Sequence, residues 1–478
     1  MHRPFLILLV LIAISACAGQ TVPAPPTSTP VPESPVGSLI VYARSVAPGP
    51  DYEHYQSDLV VVDEAGQVQR TLPLTNVLDG FATRAPNQAV YRTSEGYFLA
   101  DAARGIVQSL PMTQAAQFAP LVADQLGVRY MLMVESFGGP VSPSSRVNYL
   151  VDLERGSMVE LNALFNGQTA YGLTLILSPD EEYVLAIIEN HGLAVIPTAD
   201  PGRWRTLARN DSYLTAAWSA DSQSIIYAIR TSTDEPLMRV GIAGGTPTTL
   251  LEGRVSGWQM LPASNRLLIS DDQGLVILDL ASGEQRRIEQ CAANYQLIMG
   301  ASDENLVCPG GYLRDWYVID MRTGSATLMT ELEGSTLRSP EYQRWAVFGT
   351  VTGGDVIMSM PTQIVDLDTG RIVVRIENSD IIDVAPDGSA VVVYDEENSW
   401  PGSIRPIWVY GSDGSSQLLH SGLAVAAASF SPNGQQILVG NSVYDTDPVL
   451  GPISVFDQKG KLIRTLDISG ISPLWLEP

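Results

Sequence analysis

Hydrophobic residues in this chain fall in short runs separated by turn chemistry. The clearest unit runs from Leu214 to Leu251. Leu214–Trp218 is an apolar strand, and Ser219-Ala220-Asp221-Ser222 follows with side chains suited to bonding nearby backbone amides. Ser224–Arg230 is β-rich, Thr231–Pro236 is a polar loop, and Leu237–Ile242 is a third strand. Gly244-Gly245 marks a hairpin turn, and Thr246–Leu251 supplies a fourth strand. Four short antiparallel strands in about 40 residues make one propeller blade.

The unit recurs. Turn anchors stand at Pro179-Asp180, Pro386-Asp387-Gly388 and Pro432-Asn433-Gly434, with weaker copies at Pro86, Asp124, Pro262, Asp303 and Pro340. Most units close with a strand, an Asp and a hairpin, as in LVDLERG, LDLASG, VIDMRTG, VDLDTG and VFDQKG. Residues 38–75 lack an opening strand, whereas Ile471–Leu476 at the other end is an opening strand with nothing after it. The two ends are therefore expected to share one blade, which would close the ring and remove its exposed sheet edges. The expected fold is an all-β propeller of about eight to ten four-stranded units. Ten units in one ring, two smaller rings, or incomplete weak copies all fit the pattern.

The segment AAWSADSQSIIYAI…LMRVGIAGGTPTTLL resembles the propeller repeat of TolB and its relatives, and the resemblance extends over residues 38–478. Ser219 and Asp221 match that repeat, while Ala220 and Ser222 depart from it. The likeness implies a fold only. The α/β domain that precedes the propeller in that family has no counterpart here, and no role in the Tol system carries over.

The start of the chain reads as an address. Arg3 precedes an unbroken apolar run from Phe5 to Ile14, too short for a permanent membrane helix. Ile14-Ser15-Ala16-Cys17 resembles the bacterial lipobox, which implies cleavage after residue 16 and a lipid on the Cys17 thiol. Residues 17–37 are rich in Pro, Thr and Ser and read as an extended linker. The expected organisation is a signal peptide over 1–16, a lipidated linker over 17–37 and a propeller over 38–478. The chain would sit outside the cytoplasm on the cell membrane or outer membrane.

Charge narrows the partners. The formal net charge of −24 repels phosphate backbones, so nucleic acid is not an expected partner. No Gly-x-Ser-x-Gly elbow, His-Glu-x-x-His helix or glycine-rich phosphate loop is present, and no metal or cofactor is implied. Asp366-Leu367-Asp368-Thr369-Gly370 lacks the distal Glu of a calcium loop. His54, His191 and His420 map to blades too far apart for one metal site.

The candidate binding surface follows from topology. In a meander blade, every loop between the second and third strands lies on one face, together with the blade-to-blade connections. The long insertions fall in that loop: 45–57, 136–147, 309–315, 349–361, 395–406 and 441–452. They and their edges carry Tyr52, Tyr55, Phe137, Tyr312, Trp316, Trp400 and Tyr444, amphipathic aromatics of the kind that make binding faces. Cys291 and Cys308 should meet on the same face, where an oxidising compartment would permit a disulfide. The expected function is a non-catalytic binding or scaffold protein for a protein or glycan partner. The alternative is a propeller hydrolase or lyase working at the mouth of the central channel.

Overall fold

A computed structural model describes Leu39–Leu476 apart from residues 48–55, 64–66, 76, 94, 111–120, 138–144, 166–172, 189–191, 210–213, 230–235, 254, 256, 262–263, 272–273, 292–297, 300–304, 311–314, 330–334, 343–344, 351–361, 367–370, 377–378, 386–387, 396–405, 421–425 and 442–451. The signal peptide, Cys17 and the linker lie outside the described residues. Among the described residues, no helix is long and apolar enough to cross a membrane.

All strands pair antiparallel in consecutive order within four-stranded units. Blades 2 to 9 span residues 77–110, 121–160, 173–208, 214–251, 257–288, 298–328, 335–376 and 379–420. The final strand, Leu462–Leu476, serves two blades. Its first part pairs with Pro452–Asp457 to complete blade 10, which begins at Ala426. Its last part pairs with Leu39–Ala47, in the register Leu39 with Leu476 and Ile40 with Trp475. Gln56–Val62 and Val68–Thr75 then complete blade 1. The two ends of the chain thus share a blade, and each weak copy of the repeat forms a full four-stranded sheet.

Burial explains why the middle strands read as apolar runs. Side chains alternate between the two faces of a strand, and in a ring each blade face meets a neighbour. In blade 4, Val184 and Ala186 pack toward Tyr130 and Leu132 of blade 3. The intervening Leu185 packs toward Trp218 and Ile225 of blade 5. A second strand such as Ser224–Ile229 is therefore buried on both sides. The fourth strands, such as Ile106–Leu110 and Thr248–Leu251, are mostly open to solvent.

The core consists of inter-blade seams. Ten buried clusters each join two successive blades. The last holds Leu438, Ile453 and Val455 of blade 10 against Ile40, Val60 and Trp475 of blade 1. The series returns to its start, so the ten units form one ring.

Trp475 is 6% exposed in that closing seam, and its indole Nε1 donates to the Ser429 carbonyl at 3.3 Å. Truncating a buried aromatic removes its packing and leaves a cavity. Trp475→Ala is expected to cost about 3–5 kcal/mol, measured as a shift of the denaturation midpoint. An unchanged midpoint would show that the seam does not hold the ring.

Candidate functional site

The pairings fix which end of each blade is which. Ala47 pairs with Gln56, so the blade 1 loop 48–55 leaves one end, called here the loop face. Leu39, Val62 and Val68 lie at the opposite end, the turn face. The same order puts the strand ends that flank 138–144, 351–361, 396–405 and 442–451 at this end, these segments themselves lying outside the described residues. The loop around 311–314 joins them there. Five of these six loops belong to blades 7, 8, 9, 10 and 1, which the seams show to be consecutive.

Tyr52, Tyr55, Tyr312, Trp400 and Tyr444 lie outside the described residues, as do His54 and His191. Phe137 ends the second strand of blade 3, its backbone paired with Ser145 at the loop-face end. Trp316 departs from the sequence expectation of a surface aromatic. It opens the third strand of blade 7, is 5% exposed, and meets Phe348 of blade 8 edge-on with centroids 4.7 Å apart. The cause is the two-sided burial of third strands, which directs this indole into the seam.

Cys291, in the connection entering blade 7, is joined by a disulfide to Cys308 in that blade's second strand, with Cα atoms 5.6 Å apart. Both are buried in the seam between blades 6 and 7. A cross-link closing a loop of this size contributes about 3 kcal/mol in the chain-entropy model.

The turn face is built from repeated side-chain knots. The Ser178 hydroxyl donates to Asp180 Oδ1 at 2.6 Å and accepts the Tyr183 amide, while the Glu182 amide donates to Asp180. Ser219 with Asp221, and Ser431 with Asn433, repeat the arrangement. The next position takes the left-handed conformation that suits glycine: φ is 70° at Gly388 and 71° at Gly434. Glu181 and Ser222 take it too, at 59° and 58°, without being glycine.

Both departures reach the preceding blade. The Ser222 hydroxyl accepts the Asp180 amide at 3.1 Å. The Glu181 carboxylate accepts the amides of Val128, Arg129 and Tyr130 at 2.6, 2.8 and 2.8 Å. A Cβ on Gly127 would stand 2.6 Å from the Glu181 carboxyl carbon, so this glycine makes room for the contact. Nothing in the repeat pattern announced these links beyond the motif departures themselves.

Beside them, a cleft of about 500 Å3 opens between blades 3 and 4, lined by Arg129, Tyr130, Asp180, Glu182, Tyr183 and Thr198 among others. Several of its polar groups are engaged. Asp180 holds its turn, the Thr198 hydroxyl donates to the Glu181 carbonyl, and Arg129 pairs with Glu154 at 3.5 Å. Among the described residues, no group of three or more His, Cys, Asp or Glu is placed to hold a metal ion.

Inner strands are stitched to their neighbours. The Gln125 amide brackets the Leu175 carbonyl and the Leu177 amide of blade 4, and Trp218 Nε1 donates to the Ile176 carbonyl. Asp383 accepts the amides of Val384 and, across the seam, Phe430. Burial raises its pKa, and those two bonds oppose the rise. Among the described first strands, the exposed side chains are the neutral polar Thr174, Thr215 and Gln259.

No family model and no curated protein matches the sequence. Among solved structures, the chain superposes on a eukaryotic initiation factor with a TM-score of 0.50 at 12% identity, covering 92% of this chain and 98% of that one. An oligogalacturonate lyase in complex with manganese aligns with a TM-score of 0.33 at 14% identity, over 66% and 82% of the two chains. TolB from Acinetobacter baumannii aligns with a TM-score of 0.22 at 14% identity, over 74% and 84%. At such identities the likeness concerns fold alone. The chain is a β-propeller protein.

Two outcomes follow for the turn face. Glu181→Ala is expected to destabilise by about 1 kcal/mol, because three amides, one of them part-buried, lose a charged acceptor. Glu181→Gly should fall between it and the unaltered chain, since glycine relieves the left-handed backbone. Equal midpoints for the two variants would contradict the account.

The second outcome concerns pH. Hydrogen bonds within the turns lower the pKa of Asp221 (chiefly from Ser219), Asp279 (from Ser282) and Asp320 (from Thr323). Their stabilisation is present above the ordinary carboxylate value of ~3.9 and lost as pH falls through their lower folded values. Asp383 runs the other way: its folded form binds a proton more readily, so stability gains as pH falls through its raised value. In melting experiments at stepped pH, Asp383→Asn should lack this gain on mild acidification and keep the loss in stronger acid. Identical pH profiles would refute the assignment.

Proposed function

We propose that the chain is a non-catalytic binding or scaffold protein, held outside the cytoplasm by a lipid on Cys17, that presents its loop face to a protein or glycan partner. The observation carrying this reading is the arc of five consecutive blades in which the strand ends bounding the long insertions all lie at the same end of the ring. A rigid scaffold that gathers long loops on one face is the usual construction of a recognition surface. The lipobox-like Ile14-Ser15-Ala16-Cys17 and the Pro-rich segment after it support a tethered, extracytoplasmic setting. The disulfide at the loop-face side of blade 7 fits an oxidising compartment.

The test is crosslinked affinity capture of the tagged full-length chain from membranes, beside a variant in which Asp395–Pro406 is replaced by a short Gly-Ser link. A partner captured by the first and lost by the second is the expected result. Capture of the same proteins by both, or of none, would count against the loop face. Cys17→Ser should release the chain from the membrane fraction without changing its melting temperature.

A further inference from the structure

The turn face carries an apolar rim. Among the described residues, eight large hydrophobic side chains are exposed; the five most open are Val128 (57%), Val68 (52%), Ile106 (52%), Leu462 (51%) and Ile463 (47%), ahead of Leu328 (45%) in blade 7. Val68, Ile106 and the Leu462-Ile463 pair each open the fourth strand of their blade, just after the turn that follows the third strand. Val128 lies in the turn between the first two strands of blade 3. All five therefore stand at the same end of the ring, on blades 10, 1, 2 and 3, which are consecutive. Scattered exposed aliphatics need no explanation, but an aligned series at one rim does.

Two further observations indicate what covers it. The chain enters the propeller at Leu39, at the turn-face end of blade 1. The register Ile40 with Val62 and Val62 with Val68 places that entry two strands from Val68, or ~10 Å. Leu39, the first described residue, thus stands at the middle of the rim.

Charge there also differs from the chain as a whole. Exposed Arg84, Arg104, Arg129, Arg155, Lys459 and Lys461 stand in the turns of blades 2, 3 and 10. The two lysines are the only lysines of the sequence, and they flank Gly460 immediately before Leu462. Of the described carboxylates in the turns of blades 10, 1, 2 and 3, Asp63, Asp101, Asp152 and Asp457 accept amides of their own turns. Glu154 pairs with Arg129. Arg104 also pairs with Asp101 and Arg155 with Asp152, both at 3.7 Å. In a chain with 28 basic against 52 acidic residues, the rim sets six cations beside five described carboxylates, a balance the chain as a whole does not have.

We propose that the turn-face rim of blades 10, 1, 2 and 3 rests on the lipid surface to which the N-terminal segment leads, so that the loop face points away from the membrane. The proposal rests on the lipid-anchor reading and adds an orientation to it. Short aliphatics would enter the interfacial region, and the neighbouring Lys and Arg would meet anionic headgroups.

The experiment uses the full-length chain reconstituted in phosphatidylcholine vesicles with or without phosphatidylglycerol. A single environment-sensitive fluorophore is placed at Leu462→Cys or Ile106→Cys on the rim. Glu252→Cys, exposed after the fourth strand of blade 5 and so on the loop-face side, is the control. All three positions are exposed, so labelling leaves the seams intact. Spin-labelled lipid should quench the two rim positions several-fold more than Glu252→Cys, and phosphatidylglycerol should strengthen the difference.

Equal, weak quenching at all three positions in vesicle-bound protein would overturn the proposal and leave the rim to a protein partner or a second copy. The mass of the N-terminal peptide reads the anchor separately. If Cys17 carries no lipid, the anchor reading fails on its own. The labels are then read on the full chain added to preformed vesicles, where absence of rim quenching overturns this proposal as well.

Discussion

Every blade of this protein is apolar on both faces, and that single constraint dictates the rest. A sheet such as that of blade 4, with Val184 and Ala186 on one side and Leu185 and Val195 on the other, cannot be left with either side in water. Neighbours must cover both, so the units are stable only as a closed series. The pairing of Leu39–Arg44 with Gly470–Leu476 closes it. Closure covers the outer faces of the first and last units and joins two segments that are more than 400 positions apart in sequence. The polar links across the seams, from Gln125, Glu181, Ser222, Asp383 and Trp475, then fix the angle between sheets that the apolar contacts hold together.

Much of this is legible in the sequence. Two-sided burial writes itself as short continuous apolar runs, and turns demand residues with local hydrogen-bonding side chains, so strands and hairpins could be placed one by one. The orphan opening strand Ile471–Leu476 disclosed the closure, while the pattern left open whether the units made one ring of ten, two rings, or fewer full blades. Residues that act between units were not legible. Glu181 and Ser222 look like imperfect copies of a glycine position, and only the neighbouring turn, some 50 residues earlier for Glu181, shows what they bind. Trp316 misled for a related reason. Lying next to a long loop, it read as a surface aromatic, while its place in a third strand sends it into the core.

The two faces of the ring differ in construction, and the difference bears on function. The turn face includes short knots in which Asp180, Asp221 and Asn433 serve their own backbone. The loop face receives the long insertions and the connection cross-linked by Cys291 and Cys308. The strand ends that bound the long insertions lie on one side of the ring, and Leu39 lies on the other. That asymmetry is set by strand direction alone, and strand direction is set by the closing pair.

Hydrogen exchange at the closing pair therefore tests the account most directly. The amides of 471–476 and of 39–44 should be as protected as those of the buried second strands, and should lose protection together with them on mild destabilisation. Rapid exchange of 471–476 while blades 4 and 5 stay protected would show that the ring is open, and would remove the basis for both faces.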